Sequence, residues 1–285
     1  MPTVRTGPVV GLIVQVVLLA VLATTVGLGV AGWLAGLGYG IVLCALLSRG
    51  LRRSGAGSLG PADRVTLGRA ILVGCVTALA ADSFDQSAPI ALMVTLTAVA
   101  LALDAVDGYT ARRTGTSSEL GARFDMEIDS FLVLVLCVHV AQSAGSWVLA
   151  IGAMRYAFVA ASWVLPWMRG SLPGRYWRKV VAAVQGVMLT VAMAGVLPGP
   201  LAVAVLVLAL ALLVESFGRD VRWLWATRRT SAGAAAPARP TGVEIPIHPS
   251  VHPSIDVTGE LVMEAPVGWR DQPRITVARD GGVRV

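Results

Sequence analysis

Charge is what this 285-residue chain has least of. Only 14% of its residues are Asp, Glu, Lys or Arg, and 55% are hydrophobic, whereas a soluble domain carries about 25% charged residues. That shortfall excludes an ordinary soluble domain and points to an integral membrane protein. Lysine is almost missing: of 23 basic residues only Lys179 is a lysine. No basic stripe is interleaved with aromatics, so the net charge of +6 is not that of a nucleic-acid binder. In a membrane protein such an excess marks cytoplasmic loops. The three cysteines, Cys44, Cys75 and Cys137, sit in apolar runs without pairing or metal-ligand spacing and read as small buried hydrophobes. Histidine offers no ligand set either. His248 and His252 are four apart, but Pro249 and Pro253 prevent the helix that would align them. A small-residue cleavage site is lacking after the first apolar run, so that run is expected to stay as a helix.

Long apolar runs are what the chain has instead. A bilayer core needs about 20 apolar residues per helix, and eight candidate spans fall at roughly 9–26, 29–47, 65–82, 89–107, 122–142, 146–167, 180–196 and 200–217. Gly27, Gly29, Pro89, Gly145, Pro198 and Pro200 punctuate them. Basic residues follow every second span: Arg49, Arg52, Arg53 and Arg64; Arg112, Arg113 and Arg123; Arg169, Arg175, Arg178 and Lys179; Arg219, Arg222, Arg228 and Arg229. The alternate connections have no Lys or Arg, and one carries Asp82 and Asp85. The positive-inside rule then puts both termini in the cytoplasm. The expected fold is all-α, a polytopic membrane helix bundle of about eight transmembrane helices. From about Thr230 the composition turns to Ala, Pro, Gly, Ser and Thr, which reads as a largely disordered cytoplasmic tail. Within it SIDVTGELVM and RITVAR alternate enough for a marginal hairpin.

Four acids break the apolar pattern. Asp104 and Asp107 are i, i+3 at the end of the fourth span, and Asp125 and Asp129 are i, i+4 at the start of the fifth. Each pair shares a helix face, and the two faces meet across a short turn where Thr116 and Glu119 have capping-box spacing. Ionised carboxylates beside apolar runs are costly unless compensated. No lysine lies nearby, so divalent cations are expected to supply the positive charge. An all-oxygen ligand set selects Mg²⁺, Mn²⁺ or Ca²⁺ over zinc. Four carboxylates can hold two such ions, an arrangement suited to displacement at phosphorus. Gly108 and Gly121 allow close approach of backbone or ligand, and Arg112 can add charge to a phosphate. A cation or proton path is the reading from another class. A cation-coupled transporter would carry polar residues on through the membrane, whereas here the acids stop at one edge.

The full spacing D-x2-D-G-x2-A-R-x8-G-x3-D-x3-D is met at Asp104, Asp107, Gly108, Ala111, Arg112, Gly121, Asp125 and Asp129. It resembles the signature of the CDP-alcohol phosphatidyltransferase family. The resemblance implies a six-helix core at 61–217, preceded by two extra spans in 1–60 and followed by the tail at 218–285. It implies transfer of a phosphatidyl or phosphoalcohol group from a CDP-alcohol, usually CDP-diacylglycerol, to an acceptor hydroxyl with release of CMP. The four aspartates would hold two divalent cations, Mg²⁺ or Mn²⁺, and Asp129 would also be the general base. Gly108, Ala111, Arg112 and Gly121 would line the nucleotide and diphosphate site. PADRVTLGR at 61–69 is similar to the family's nucleotide-binding segment. Thr66 and Arg69 match it, and Asp63 replaces the usual Asn. The resemblance also implies membrane lipid partners, a homodimer and a place in the cytoplasmic membrane.

The acceptor is less defined. Members using glycerol phosphate or inositol phosphate carry Lys or Arg after the fourth aspartate, where this chain has Ser130. The stretch after that aspartate does not match the serine-transferring branch. ARRT, SS-x-LG and FD-x3-DS look most like the choline/ethanolamine phosphotransferase branch, which joins a soluble CDP-aminoalcohol to diacylglycerol. Arg155, in the middle of the sixth span, is expected either to hold a substrate phosphate or to pair with an internal carboxylate. Arg175 and Arg178 either bind an acceptor anion or only mark topology. Glu215 and Arg219 have the spacing of an i, i+4 pair.

Overall fold

The computed structural model describes residues 6–54, 61–114, 119–170 and 176–233 and four short strands beyond them, with the side chains of 107–120 outside the description. Eight α-helices follow in order: α1 (Thr6–Val26), α2 (Val30–Ser54), α3 (Pro61–Asp82), α4 (Ile90–Thr114), α5 (Glu119–Ala144), α6 (Leu149–Val164), α7 (Tyr176–Met193) and α8 (Gly199–Gly233). Each corresponds to one expected span. Short 3-10 turns at Ser146–Val148 and Pro166–Arg169 flank α6. Turns fall where glycine frees the backbone: Gly27 has φ +75° and Gly145 φ +98°, values that a Cβ would oppose.

Five helices, α1, α2, α3, α6 and α8, are long and apolar enough to cross a membrane, so the chain is a polytopic membrane protein. Charged residues near one end of α4, α5 and α7 interrupt their apolar stretches: Asp104 in α4, Arg123 to Asp129 in α5, Arg178 and Lys179 in α7. α3 is the central element. It packs on α1, α2, α4 and α5, and 72% of its membrane-length stretch is buried against 22% for α1, α2 and α8. The outer helices turn apolar side chains such as Ile13, Leu34, Val164 and Val207 outward, as lipid-facing surfaces do. The buried cysteines, Cys75 and Cys137, and the half-buried Cys44 are unpaired, in line with their reading as small hydrophobes.

Two local features go beyond the sequence reading. Asp82, expected only as a loop charge, is buried at the end of α3, and its Oδ1 accepts the Gly29 N–H at 3.0 Å. It thereby occupies one of the donors left open at the start of α2. α8 does not stop near 217 but continues to Gly233. Glu215, Arg219 and Asp220 end the apolar run there without ending the helix, because single charges and one glycine do not break helical hydrogen bonding. The Glu215–Arg219 ion pair forms on this segment as spaced.

Residues 235–285 form a separate unit. Ser254–Ile255 (β1) pairs with Leu261–Val262 (β2), and Thr276–Val277 (β3) with Val283–Arg284 (β4), both antiparallel. The first ladder lies inside SIDVTGELVM. The rest of the tail, where disorder was expected and where His248 and His252 fall, is outside the described residues.

Candidate active site

The end of α4 and the start of α5 bring Asp104, Asp125 and Asp129 together, each offering a carboxylate oxygen within 4.8 Å of the others. The i, i+4 spacing stacks Asp125 and Asp129 on one face of α5, and Gly121 lies one turn before them on the same helix. Each of the three side chains keeps a little over a third of its surface open. Asp107, Gly108, Ala111 and Arg112 belong to α4, but their side chains lie outside the described residues, as does Thr116.

Arg69 of α3 enters the middle of this cluster. It is 1% exposed. Its Nη1 pairs with Asp104, and its Nη2 with Asp125 and, at 2.9 Å, with Asp129. The sequence reading assigned the counter-charge to cations alone and Arg69 to the nucleotide. Instead, Arg69 supplies one positive charge to the carboxylates themselves. No spacing signal marked this, because Arg69 stands 35 residues before Asp104 and meets it only through the packing of α3 against α4 and α5. Three carboxylates against one guanidinium leave an excess of two negative charges. A hard, anionic, all-oxygen donor set with that excess fits a divalent cation, and these residues can hold one.

Thr66 is buried one turn before Arg69, and Asp63 sits in the first turn of α3, where the helix dipole favours an acid. Both lie on the helix that delivers Arg69. Arg155 meets the second of its two expected fates. It pairs with Glu127 of α5 and donates to Met126 Sδ at 2.9 Å, next to the Asp125–Asp129 turn. Arg178 of α7 lies 3.6 Å from Asp220 on the extended part of α8. Arg175 falls outside the described residues.

With this geometry in view, comparison with known proteins adds one result. A family model described as CDP-alcohol phosphatidyltransferase matches residues 61–215. No curated protein and no solved structure matches the chain significantly.

Proposed function

This chain belongs to the CDP-alcohol phosphatidyltransferase family, and from that premise we propose that it transfers a phosphatidyl group from CDP-diacylglycerol to an acceptor hydroxyl, releasing CMP, in phospholipid synthesis. The observation that carries the reading is the meeting of three carboxylates from two helices with an excess of negative charge. Asp104, Asp107, Asp125 and Asp129 would hold Mg²⁺ or Mn²⁺, two ions in all. Such ions would neutralise the diphosphate and favour both the attacking and the leaving oxygen.

The chain's own groups do the rest. Asp129 takes the proton of the acceptor hydroxyl as that oxygen attacks the phosphorus of the lipid phosphate. Asp63, Thr66, Gly108, Ala111, Arg112 and Gly121 line the nucleotide and diphosphate, while Arg69 holds the carboxylates at a fixed separation. Closure of three helices around the site excludes bulk water that would compete with the acceptor. The Arg155–Glu127 pair gives the acceptor side a charged wall. Both termini and the site face the cytoplasm, where CDP-alcohols are water-accessible.

A second reading rests on ARRT, SS-x-LG and FD-x3-DS: a CDP-aminoalcohol as donor and diacylglycerol as acceptor. The test incubates purified protein with CDP-diacylglycerol and a panel of alcohols, then with CDP-choline or CDP-ethanolamine and diacylglycerol, and identifies lipid products by mass. The expected outcome is CMP release with Mg²⁺ or Mn²⁺ in the first arm and none in excess chelator. Product in the second arm alone selects the aminoalcohol reading. CMP release undiminished by chelator removes the metal-dependent mechanism.

A further inference from the structure

The α1–α2 pair precedes the segment 61–215 that carries the family match, yet it reaches the aspartate site. α2 packs along α3 and touches α5. Tyr39, midway along α2, stacks on Phe131 of α5 with ring centroids 5.1 Å apart and planes 24° from parallel. Phe131 lies two residues beyond Asp129. The Tyr39 hydroxyl is buried and finds no hydrogen-bond partner among the described residues. Of the charged groups around it, Arg69 acts on it most strongly, and Tyr156 of α6 is also close.

Arg69 shows the complementary gap. Its two outer nitrogens are spent on the carboxylates, while its Nε is buried without a partner among the described residues. Buried polar groups left unpaired are uncommon in folded proteins, and two in one neighbourhood call for a shared explanation. A guanidinium gripped by acids on α4 and α5 can still roll about that grip. One further bond at Nε fixes it. A phenol hydroxyl can accept that N–H and, unlike a carboxylate, adds no further negative charge.

We propose that Tyr39 is a positioning residue for Arg69: its hydroxyl accepts from Nε, directly or through one buried water, and so sets how the guanidinium meets Asp104, Asp125 and Asp129. The N-terminal pair of helices is then part of the site and not only a membrane anchor. The activity arm of the test rests on the phosphotransfer reading; the metal-binding arm does not.

Tyr39→Phe keeps the ring and its stack on Phe131 and removes only the hydroxyl. In the full chain it is expected to lower single-turnover CMP release about tenfold, the scale of one hydrogen bond to a charged group. It should also shift Mn²⁺ affinity, read by electron paramagnetic resonance without substrate, about three- to tenfold. A double-mutant cycle with Arg69→Lys, which lacks an equivalent Nε–H, separates positioning from packing. In the Arg69→Lys background, loss of the hydroxyl should change neither quantity further. Additive effects, or a Tyr39→Phe protein equal to wild type in Mn²⁺ affinity and CMP release, overturn the proposal. If Arg69→Lys is not recovered folded, Tyr39→Phe alone decides, and an unshifted Mn²⁺ affinity sinks it. A wild-type protein that releases CMP from no CDP-alcohol defeats the phosphotransfer reading instead, while the Mn²⁺ cycle still judges Tyr39.

Discussion

Asp129 and Asp104 look alike in the folded chain: both pair with Arg69, and both are open to solvent to the same degree. Their chemistry is expected to differ. A base acts on the proton in flight, whereas the donor is held by the whole ligand set. Asp129→Asn keeps the shape and one oxygen ligand but cannot accept a proton. It should therefore slow CMP release by about 10²–10⁴ while CDP-alcohol still binds in the presence of Mn²⁺. Asp104→Asn should weaken donor binding first. Donor affinity and single-turnover CMP release, measured on both variants, test this. Equal loss of donor affinity in the two would leave Asp129 as a metal ligand alone. The carboxylates were legible in the sequence because acids in apolar runs are conspicuous and their i, i+3 and i, i+4 spacing is local. Arg69 was seen but given other work, since its ion pairs depend on which face of α3 meets α4 and α5. Tyr39 was not singled out at all: one tyrosine in an apolar span carries no signal until its stacking partner is known.

Helices close on one another here through small residues, as membrane bundles do. At Gly152 of α6 an added Cβ would lie 2.7 Å from Leu134 Cα on α5. Backbone cannot swing aside as a side-chain tip can, so Gly152→Ala must push α6 away from α5. That displacement would also disturb Arg155, one turn on, and its pair with Glu127. We expect a loss of about 1–3 kcal/mol, the usual cost of overpacking, read as earlier thermal unfolding in detergent. Gly38→Ala on α2 is the control: a Cβ there meets nothing within 4 Å, and stability should stay the same or rise with helix propensity. At this scale the order and number of helices were legible from hydropathy, and the breakers at Gly27 and Gly145 fell where the turns are. The end of α8 was not. Hydropathy reports where lipid contact stops, and the helix runs on to Gly233, with Arg178–Asp220 and the edge-on Trp167–Trp225 contact fastening that extension.

Over the whole molecule, polar and aromatic anchors gather at one end of the bundle. The end of α4, the start of α5, the end of α6 and the start of α7 carry Asp104, Asp125, Trp163, Arg169, Trp177 and Arg178. Past the apolar part of α8, the Arg228 guanidinium lies 5.2 Å over the Trp225 ring. Tryptophan and arginine together are the residues of a membrane–water interface. Packing alone does not say which side of the membrane this end faces, since a bundle buries the same surface either way up. The asymmetry is electrostatic: the connections at this end hold the arginines, and the opposite ones hold Asp82 and Asp85 but no Lys or Arg. The positive-inside rule therefore places the aspartate site in the cytoplasm, the side on which a nucleotide-linked donor is available. The prediction is made on a background in which Cys44, Cys75 and Cys137 are replaced by alanine. A cysteine introduced at Ser87, between α3 and α4, should react with a membrane-impermeant thiol reagent in intact cells. One introduced at Ser117, between α4 and α5, should react only after the membrane is opened. The two positions flank a single helix, so their labelling must be opposite whenever α4 crosses the membrane. Labelling of both from one side would mean that α4 does not span. The reverse pattern would put the carboxylates outside the cell, away from any CDP-alcohol, and would remove the proposed reaction along with the orientation.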